Sequence, residues 1–223
     1  MMRTSLQKYE GREVELEGEG FICSFVSVTQ AVNCAIAVQK GLHVAGELID
    51  LKIGINAGMP VSKSKSIFGD TVLMAKFFCL FDQDSQIVMA PIIREIYKDD
   101  GQNTTNGKTL FKWISPADEN FLYLLMNTME ENWNNSKFGV SDFCNKMSMS
   151  KSKLFRKSTE LTYMSPNNCL REYRLVKSLE LLKTNLSISD TTYDAGFTSP
   201  SYFTRCFQKR FGIPPLSYQK GLK

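Results

Sequence analysis

The chain has 223 residues, room for one large domain or two small ones, with 43% hydrophobic and 22% charged residues, as in a soluble globular protein with a real core. No apolar run approaches the roughly 20 residues of a membrane helix, and the polar opening "MMRTSLQKYEGREVELEG" is unlike a secretory signal, so a cytoplasmic protein is expected. The net charge of +4 is uneven: residues 1–115 hold 12 basic and 13 acidic side chains (−1), residues 116–223 hold 15 and 10 (+5), which favours an anionic partner for the second half.

The six cysteines (Cys23, Cys34, Cys79, Cys144, Cys169 and Cys206) are scattered, none within four residues of another. That spacing excludes a zinc module and a disulfide framework, and reads as small buried hydrophobes. The single histidine, His43, lies on an expected helix without an evident partner, which removes histidine triads and multi-histidine metal sites.

In chain order, "EVELEG" and "GFICSF" are strand candidates that turn at Gly18 and Gly20. "SVTQAVNCAIAVQKGL" places Ala31, Cys34, Ala35 and Val38 at helical spacing behind a Ser27 or Thr29 cap. "LKIGINAG" is a strand, "VSKSKSIFG" a polar loop, "DTVLMAKFFCLF" a helix, "SQIVMAP" a strand and "PIIREIYKD" a short helix. After "DDGQNTTNG", the run "KTLFKWI" is a last strand. Strands and helices on one sheet indicate an α+β domain over residues 1–115, closed by the polar stretch "SPADEN".

Only helices follow, so residues 116–223 are expected to be all-α. "ENFLYLLMNTMEENW" carries Phe121, Leu124, Leu125 and Met129 on one face. "VSDFCNKM" and "SKSKLFRKSTEL" flank the turn "SMS". "NNCLREYRLVKSLELLKTN" is a longer helix with apolar positions Leu170, Tyr173, Leu175, Val176, Leu179 and Leu182. "SISDTTYDAG" and "PSYFTRCFQKRF" flank "GFTS". These are two helix–turn–helix units, near 140–162 and 188–211, joined by a helix near 166–184.

The last helix carries the chemistry. Ser199 is its cap and Pro200 its first residue, where a missing N–H costs nothing. Phe203, Phe207 and Phe211 repeat every four residues and pack inward beside Cys206. Ser201, Thr204, Arg205, Gln208 and Lys209 then face out. Small residues at the helix start allow close approach to a groove, and Thr and Arg reach bases or phosphates. Lys209 and Arg210 suit backbone phosphates. Gly212 ends the helix, and Pro214–Pro215 are expected to prevent its resumption.

"DAGFTSPSYFTRCFQKRFGIPPLSY" resembles the second helix–turn–helix of the AraC family of bacterial transcription regulators, through Gly196–Phe197, Ser201–Tyr202–Phe203, Arg205, Phe207, Lys209, Phe211–Gly212 and Pro215. "MSMSKSKLFRK" resembles that family's first unit, and "SPNNCLREYRLVKSLELL" its linker helix. The resemblance covers roughly 100 residues and implies double-stranded DNA as partner. By position it points to Ser152, Phe155 and Arg156 on the first recognition helix, flanked by Lys151, Lys153 and Lys157, and to Pro200, Ser201, Thr204 and Arg205 on the second, with Lys209 on phosphates. Two residues depart from the family pattern: Tyr163 stands at a usual glycine and Ser158 at a usual aromatic, so a looser or repacked first helix–turn–helix is expected. A linker helix of about 18 residues spans about 27 Å. That length is compatible with recognition helices about one DNA turn, roughly 34 Å, apart.

The order hairpin, helix, "IGINAG", "FGDTVLMA", "SQIVMAP" resembles the later part of a class III nucleotidyl cyclase domain, over roughly residues 12–98, and implies a ferredoxin-like, cyclase-type sheet with helices. Glu19 in "EGEG" stands at that family's metal-binding carboxylate, a weak metal candidate; Asn56 replaces its histidine. Its transition-state asparagine falls at Leu73, its triphosphate arginine at Phe77 and its purine-selecting lysine at Glu15. Cyclisation needs carboxylates clamping metal and cations neutralising phosphate; apolar groups stand there instead, and Glu15, Glu17 and Glu19 repel a triphosphate. The expectation is no catalysis and no cofactor. The family's first, central strand is not found in the chain, which reads as a fragment of a longer protein or as a gap filled by a partner, the fragment preferred. Three functions stand: a DNA-binding regulator whose first domain dimerises or senses, a cyclase with unusual residues, and a sensor for a small-molecule effector that no residue constellation specifies.

Overall fold

The computed structural model describes residues 2–17, 20–44, 51–58, 69–81, 87–98, 103–105, 108–184 and 186–222. It divides into two compact units, Met1–Tyr123 and Leu124–Lys223.

In the first unit, helix α1 (Met2–Lys8) precedes a hairpin of β1 (Arg12–Glu17) and β2 (Gly20–Ser24). The strands pair antiparallel from Arg12↔Ser24 to Glu17↔Gly20, with an irregularity between Glu13 and Glu15. Helix α2 (Val28–Val44) buries Val32, Cys34, Ala35 and Val38. Cys34 and Val38 join Leu6 of α1 in one cluster, on which Cys23 and Phe25 pack. Of the expected helical face Cys34, Ala35 and Val38 are buried, while Val32 takes the place of Ala31, which is half-buried.

The sheet proper is β3 (Ile53–Ile55), β4 (Ile87–Met89) and β7 (Phe111–Trp113), in the order β3-β4-β7. Both pairings are parallel: Ile53↔Ile87 to Ile55↔Met89, then Ile87↔Phe111 to Met89↔Trp113. The reason is connectivity, since helix α3 (Gly69–Phe81) separates β3 from β4 and helix α4 (Pro91–Ile96) follows β4; a crossover returns the chain in the same direction. The central strand is buried throughout, with Ile87, Val88, Met89 and Ala90 all at 3% exposure or less, as a strand covered on both faces requires. Helix α3 packs on β3 so closely that a Cβ at Gly54 would lie 2.2 Å from the Ala75 carbonyl oxygen. That contact is why a glycine sits in "IGIN".

Three expectations change here. One sheet carrying all strands was expected; among the described residues the hairpin, the parallel sheet and a small β5 (Thr104–Thr105)–β6 (Lys108–Thr109) pair are separate ladders. The ferredoxin-like, cyclase-type sheet therefore appears, among the described residues, as a mixed α/β region with small sheets. "KTLFKWI" is two strands, because the chain turns at Leu110, whose amide bonds the Asn103 carbonyl, while Thr109 Oγ1 accepts from the Phe111 amide.

Helix α5 (Pro116–Asn132) contains the boundary between the units. Its buried apolar residues are Phe121, Leu122, Leu125, Met126 and Met129, so Leu122 and Met126 replace the expected Leu124. The second unit continues with α6 (Val140–Lys146), α7 (Lys151–Thr162), α8 (Pro166–Lys183), α9 (Ile188–Asp194), α10 (Pro200–Phe211) and α11 (Pro215–Gly221). Helix α11 corrects the reading of Pro214–Pro215 as a stop: Pro215 is the first residue of a new helix, a position where its fixed φ and absent N–H are favourable.

Candidate nucleic-acid interface

Three helices of the second unit, α7, α9 and α10, start at a serine whose side chain accepts an otherwise unpaired amide. Ser150 accepts from Lys153 N, Ser187 from Asp190 N and Ser199 from Tyr202 N. Such caps are each worth roughly 1 kcal/mol. They fix where α7, α9 and α10 begin, and hence which residues stand in each first turn.

Helix α10 is anchored by its aromatic row. Phe203 and Phe207 are fully buried and stack on Phe197, Phe211 and Tyr218, with centroid distances of 4.6–5.8 Å. They share a core with Leu175, Leu179 and Leu182 of α8. Gly212 closes the helix with φ 79°, the left-handed conformation that glycine adopts freely. With the phenylalanines inward, Pro200, Ser201, Thr204, Arg205, Gln208 and Lys209 together line one open groove of about 720 Å³. Ser201, Arg205 and Lys209 are exposed; Pro200 and Thr204 are half-buried. The Arg205 guanidinium lies over the Tyr202 ring at 5.4 Å from its centroid, a contact that restricts a long side chain without removing its donors.

Lys151, Ser152, Lys153 and Arg156 are exposed on α7, and Phe155 is half-buried; none of them lines the α10 groove. Arg156 and Lys157 share Glu160, at 3.9 and 3.8 Å. These are surface pairs on a helix, worth only tenths of a kcal/mol. Beneath them the buried side of α7 is partly polar. Ser158, Thr162 and Cys169 are fully buried. Thr162 Oγ1 and the Cys169 thiol are 3.1 Å apart, and Ser158 Oγ donates to the Met164 carbonyl at 2.7 Å. Burial pushes the Cys169 thiol pKa up, against the hydrogen bonds from Thr162 and Ser158. Tyr163 is the left-handed C-cap of α7, φ 58°, which explains why glycine suits the position in the family.

Two charged residues have another task than the one sequence assigns or leaves open. Arg210, expected on phosphate beside Lys209, is paired through Nε with Glu172 Oε2 of α8 at 3.3 Å. Arg174 of α8 donates from Nε to the Trp133 carbonyl and from Nη2 to the Asn135 carbonyl, both at 2.6 Å; burial lowers its pKa. Gln208 lines the groove although the family positions omit it; its spacing from Ser201 and Thr204 is the signal that finds it.

Glu19 lies outside the described residues, as do the side chains of Glu15 and Glu17. Among the described residues no group of three or more His, Cys, Asp or Glu is placed to hold a metal ion. Asn56 donates to the Thr71 carbonyl and accepts from the Ala57 amide, closing the turn after β3. Phe77 is buried at 2% exposure.

Residues 143–221 match the family described as "Helix-turn-helix domain". The C-terminal half carries an AraC-type helix–turn–helix DNA-binding domain. A segment of 107 residues is 39% identical to "Histidine kinase P4" of Formosa agariphila, covering 48% of this chain and 8% of that one. The HTH-type transcriptional activator RhaR of Pectobacterium atrosepticum is 33% identical over 105 residues, 47% of this chain and 37% of that one. The chain thus spans well under half the length of either curated relative. Among solved structures, the C-terminal domain of the two-component response regulator yesN from Fusobacterium nucleatum is 27% identical over 45% of this chain and 98% of that chain, with a TM-score of 0.42. The AraC-type domain contains both recognition-helix candidates, α7 and α10. Among the described residues, no helix is long and apolar enough to cross a membrane.

Proposed function

We propose that this chain is a sequence-specific DNA-binding transcription regulator of the cytoplasm. The observation that carries the reading is the outer face of α10. Ser201, Thr204, Arg205, Gln208 and Lys209 line a single groove on a helix fixed at both ends by its cap and its glycine. Arg205 supplies a planar donor pair of the kind that reads guanine O6 and N7, Gln208 an amide of the kind that reads adenine, and Lys209 a cation for phosphate. On α7, Ser152, Phe155 and Arg156 are the proposed base-edge contacts, with Lys151 and Lys153 on phosphate. The 18-residue α8 joins the two surfaces and suits half-sites one helical turn apart on one DNA face.

Residues 1–115 are proposed as a cyclase-like domain without catalysis, used for homodimerisation or for sensing a small-molecule effector. Supporting this is the burial of Phe77, where that chemistry needs a cation. The deciding experiment is selection of bound DNA from a random pool by the full chain, followed by gel-shift titration. A single enriched motif with two half-sites is expected; a pool that stays random through successive rounds refutes the reading. Incubation with ATP or GTP and manganese is expected to yield no cyclic nucleotide.

A further inference from the structure

One face of α10 lies between the groove and the aromatic core. Tyr202, Cys206 and Arg210 follow one another at four-residue intervals, which stacks them in one row on a helix. That row meets two adjacent residues of α8. Arg171, which donates to Asn168 Oδ1 at 3.1 Å, lies near enough to Tyr202 and Cys206 that, against the lowering by burial, its neighbours raise its pKa. Glu172 takes Arg210 at 3.3 Å. The Glu172 carboxylate is only 13% exposed and divides its oxygens, Oε2 to Arg210 and Oε1 to Arg171 at 3.5 Å. A carboxylate this shielded needs charged partners to offset the water it has lost. Tyr202 in turn carries the Arg205 guanidinium on its ring.

We infer that Glu172 and Arg210 are positioning residues for DNA recognition: with Arg171 and Tyr202 they set the orientation of α10 on the linker helix and so aim Arg205 and its neighbours at base edges. Arg210 is thereby withdrawn from the phosphate-binding set. The inference rests on the DNA-binding reading above, and goes beyond it by assigning side chains that never touch DNA. The α8 end of the device is built from charges, whereas the Phe203–Phe207 row beneath α10 is apolar and non-directional. Apolar packing holds the helix on the domain; a charge-assisted pair fixes its pitch.

The test uses the full chain and the operator obtained by random-pool selection. Arg210→Ala, Glu172→Ala, the double variant and Arg210→Lys are titrated against that operator, against operators substituted in one half-site at a time, and against unrelated DNA, across a salt series. Three results are expected. Each alanine variant loses about tenfold or more in discrimination at the half-site read by α10, keeps discrimination at the other, and binds unrelated DNA as before. The double variant loses no more than either single one, and Arg210→Lys recovers most of the loss. The slope of log affinity against log salt is unchanged in Arg210→Ala.

A slope reduced by about 0.9, with equal loss on every DNA, would mean that Arg210 neutralises a phosphate, and would overturn the inference. Unaltered discrimination in a folded Arg210→Ala would also overturn it. Should Glu172→Ala fail to fold, Arg210→Ala alone decides, since Arg210 sits in the exposed last turn of α10. Failure of the wild-type chain to select any sequence would instead refute the DNA-binding reading.

Discussion

Replacing Arg174 by alanine should unlock the end of α5 from the rest of the second unit. Its guanidinium donates to the carbonyls of Trp133 and Asn135, each at 2.6 Å, just past the last residue of α5. Those carbonyls stand at the negative end of a helix, where a cation is favourable. Gly196 closes the site from the α9–α10 turn. It has φ 74°, and a Cβ there would lie 2.3 Å from the Trp133 carbonyl oxygen and 2.9 Å from Arg174 Nε. Hydrogen bonds from a charged donor contribute about 1.5–3 kcal/mol each. Two give about 3–6 kcal/mol. The Asn135 carbonyl is exposed and regains water in the variant, so a loss of about 2–4 kcal/mol remains. For a unit of this size each kcal/mol corresponds to about 4–8 °C, so its melting transition should fall by at least about 8 °C. Denaturant unfolding followed by circular dichroism and by the fluorescence of Trp133 measures it. Arg174→Lys, which keeps the cation but reaches one carbonyl, should lose roughly half as much. A loss below about 0.5 kcal/mol in Arg174→Ala would show the contact to be incidental and refute this account of how α8 holds the end of α5 within the second unit.

Arg205→Ala should weaken operator binding tenfold or more, about 1–3 kcal/mol for a good base contact; an unchanged gel-shift titration would remove Arg205 from the base-reading set. Tyr163→Gly should stabilise the chain by about 0.5–1 kcal/mol: a left-handed residue with a side chain costs about 1–2 kcal/mol, offset by about 0.4–1 kcal/mol for the freedom glycine gains when unfolded. A lower denaturation midpoint would show that the contacts of the Tyr163 ring outweigh its backbone. The Cys169 thiol, pushed up by burial, is held neutral by the fold. Its contribution is full below the unfolded thiol range, about pH 8.5, and is lost as pH rises through the higher folded value. Unfolding free energies at pH 7.5 and 9.5 should therefore fall less steeply in Cys169→Ala than in the wild type, and equal slopes would count against this.

The second unit was legible because its signals are local. Ser150, Ser187 and Ser199 cap where the apolar period begins, and the Phe203–Phe207 row alone sorts α10 into a core face and an outer face. What failed there was non-local or two-valued. Proline both ends helices and begins them, so Pro215 was misread. Arg210 looks like any surface cation until Glu172, 38 positions earlier, is brought beside it. The first unit was harder. Its described strands are two to six residues long, too short for alternation to show which strands pair, and the parallel order of β3, β4 and β7 is set by crossovers rather than by any residue within them.

The sharing of Glu160 by Arg156 and Lys157 gives the two recognition helices unlike starting points. An anion approaching α7 competes with a carboxylate already in place, whereas Arg205 has no ion-pair partner among the described residues. On the DNA-binding reading proposed above, α7 offers an anion cations already partly neutralised, by an amount worth tenths of a kcal/mol, whereas α10 offers the Arg205 charge whole.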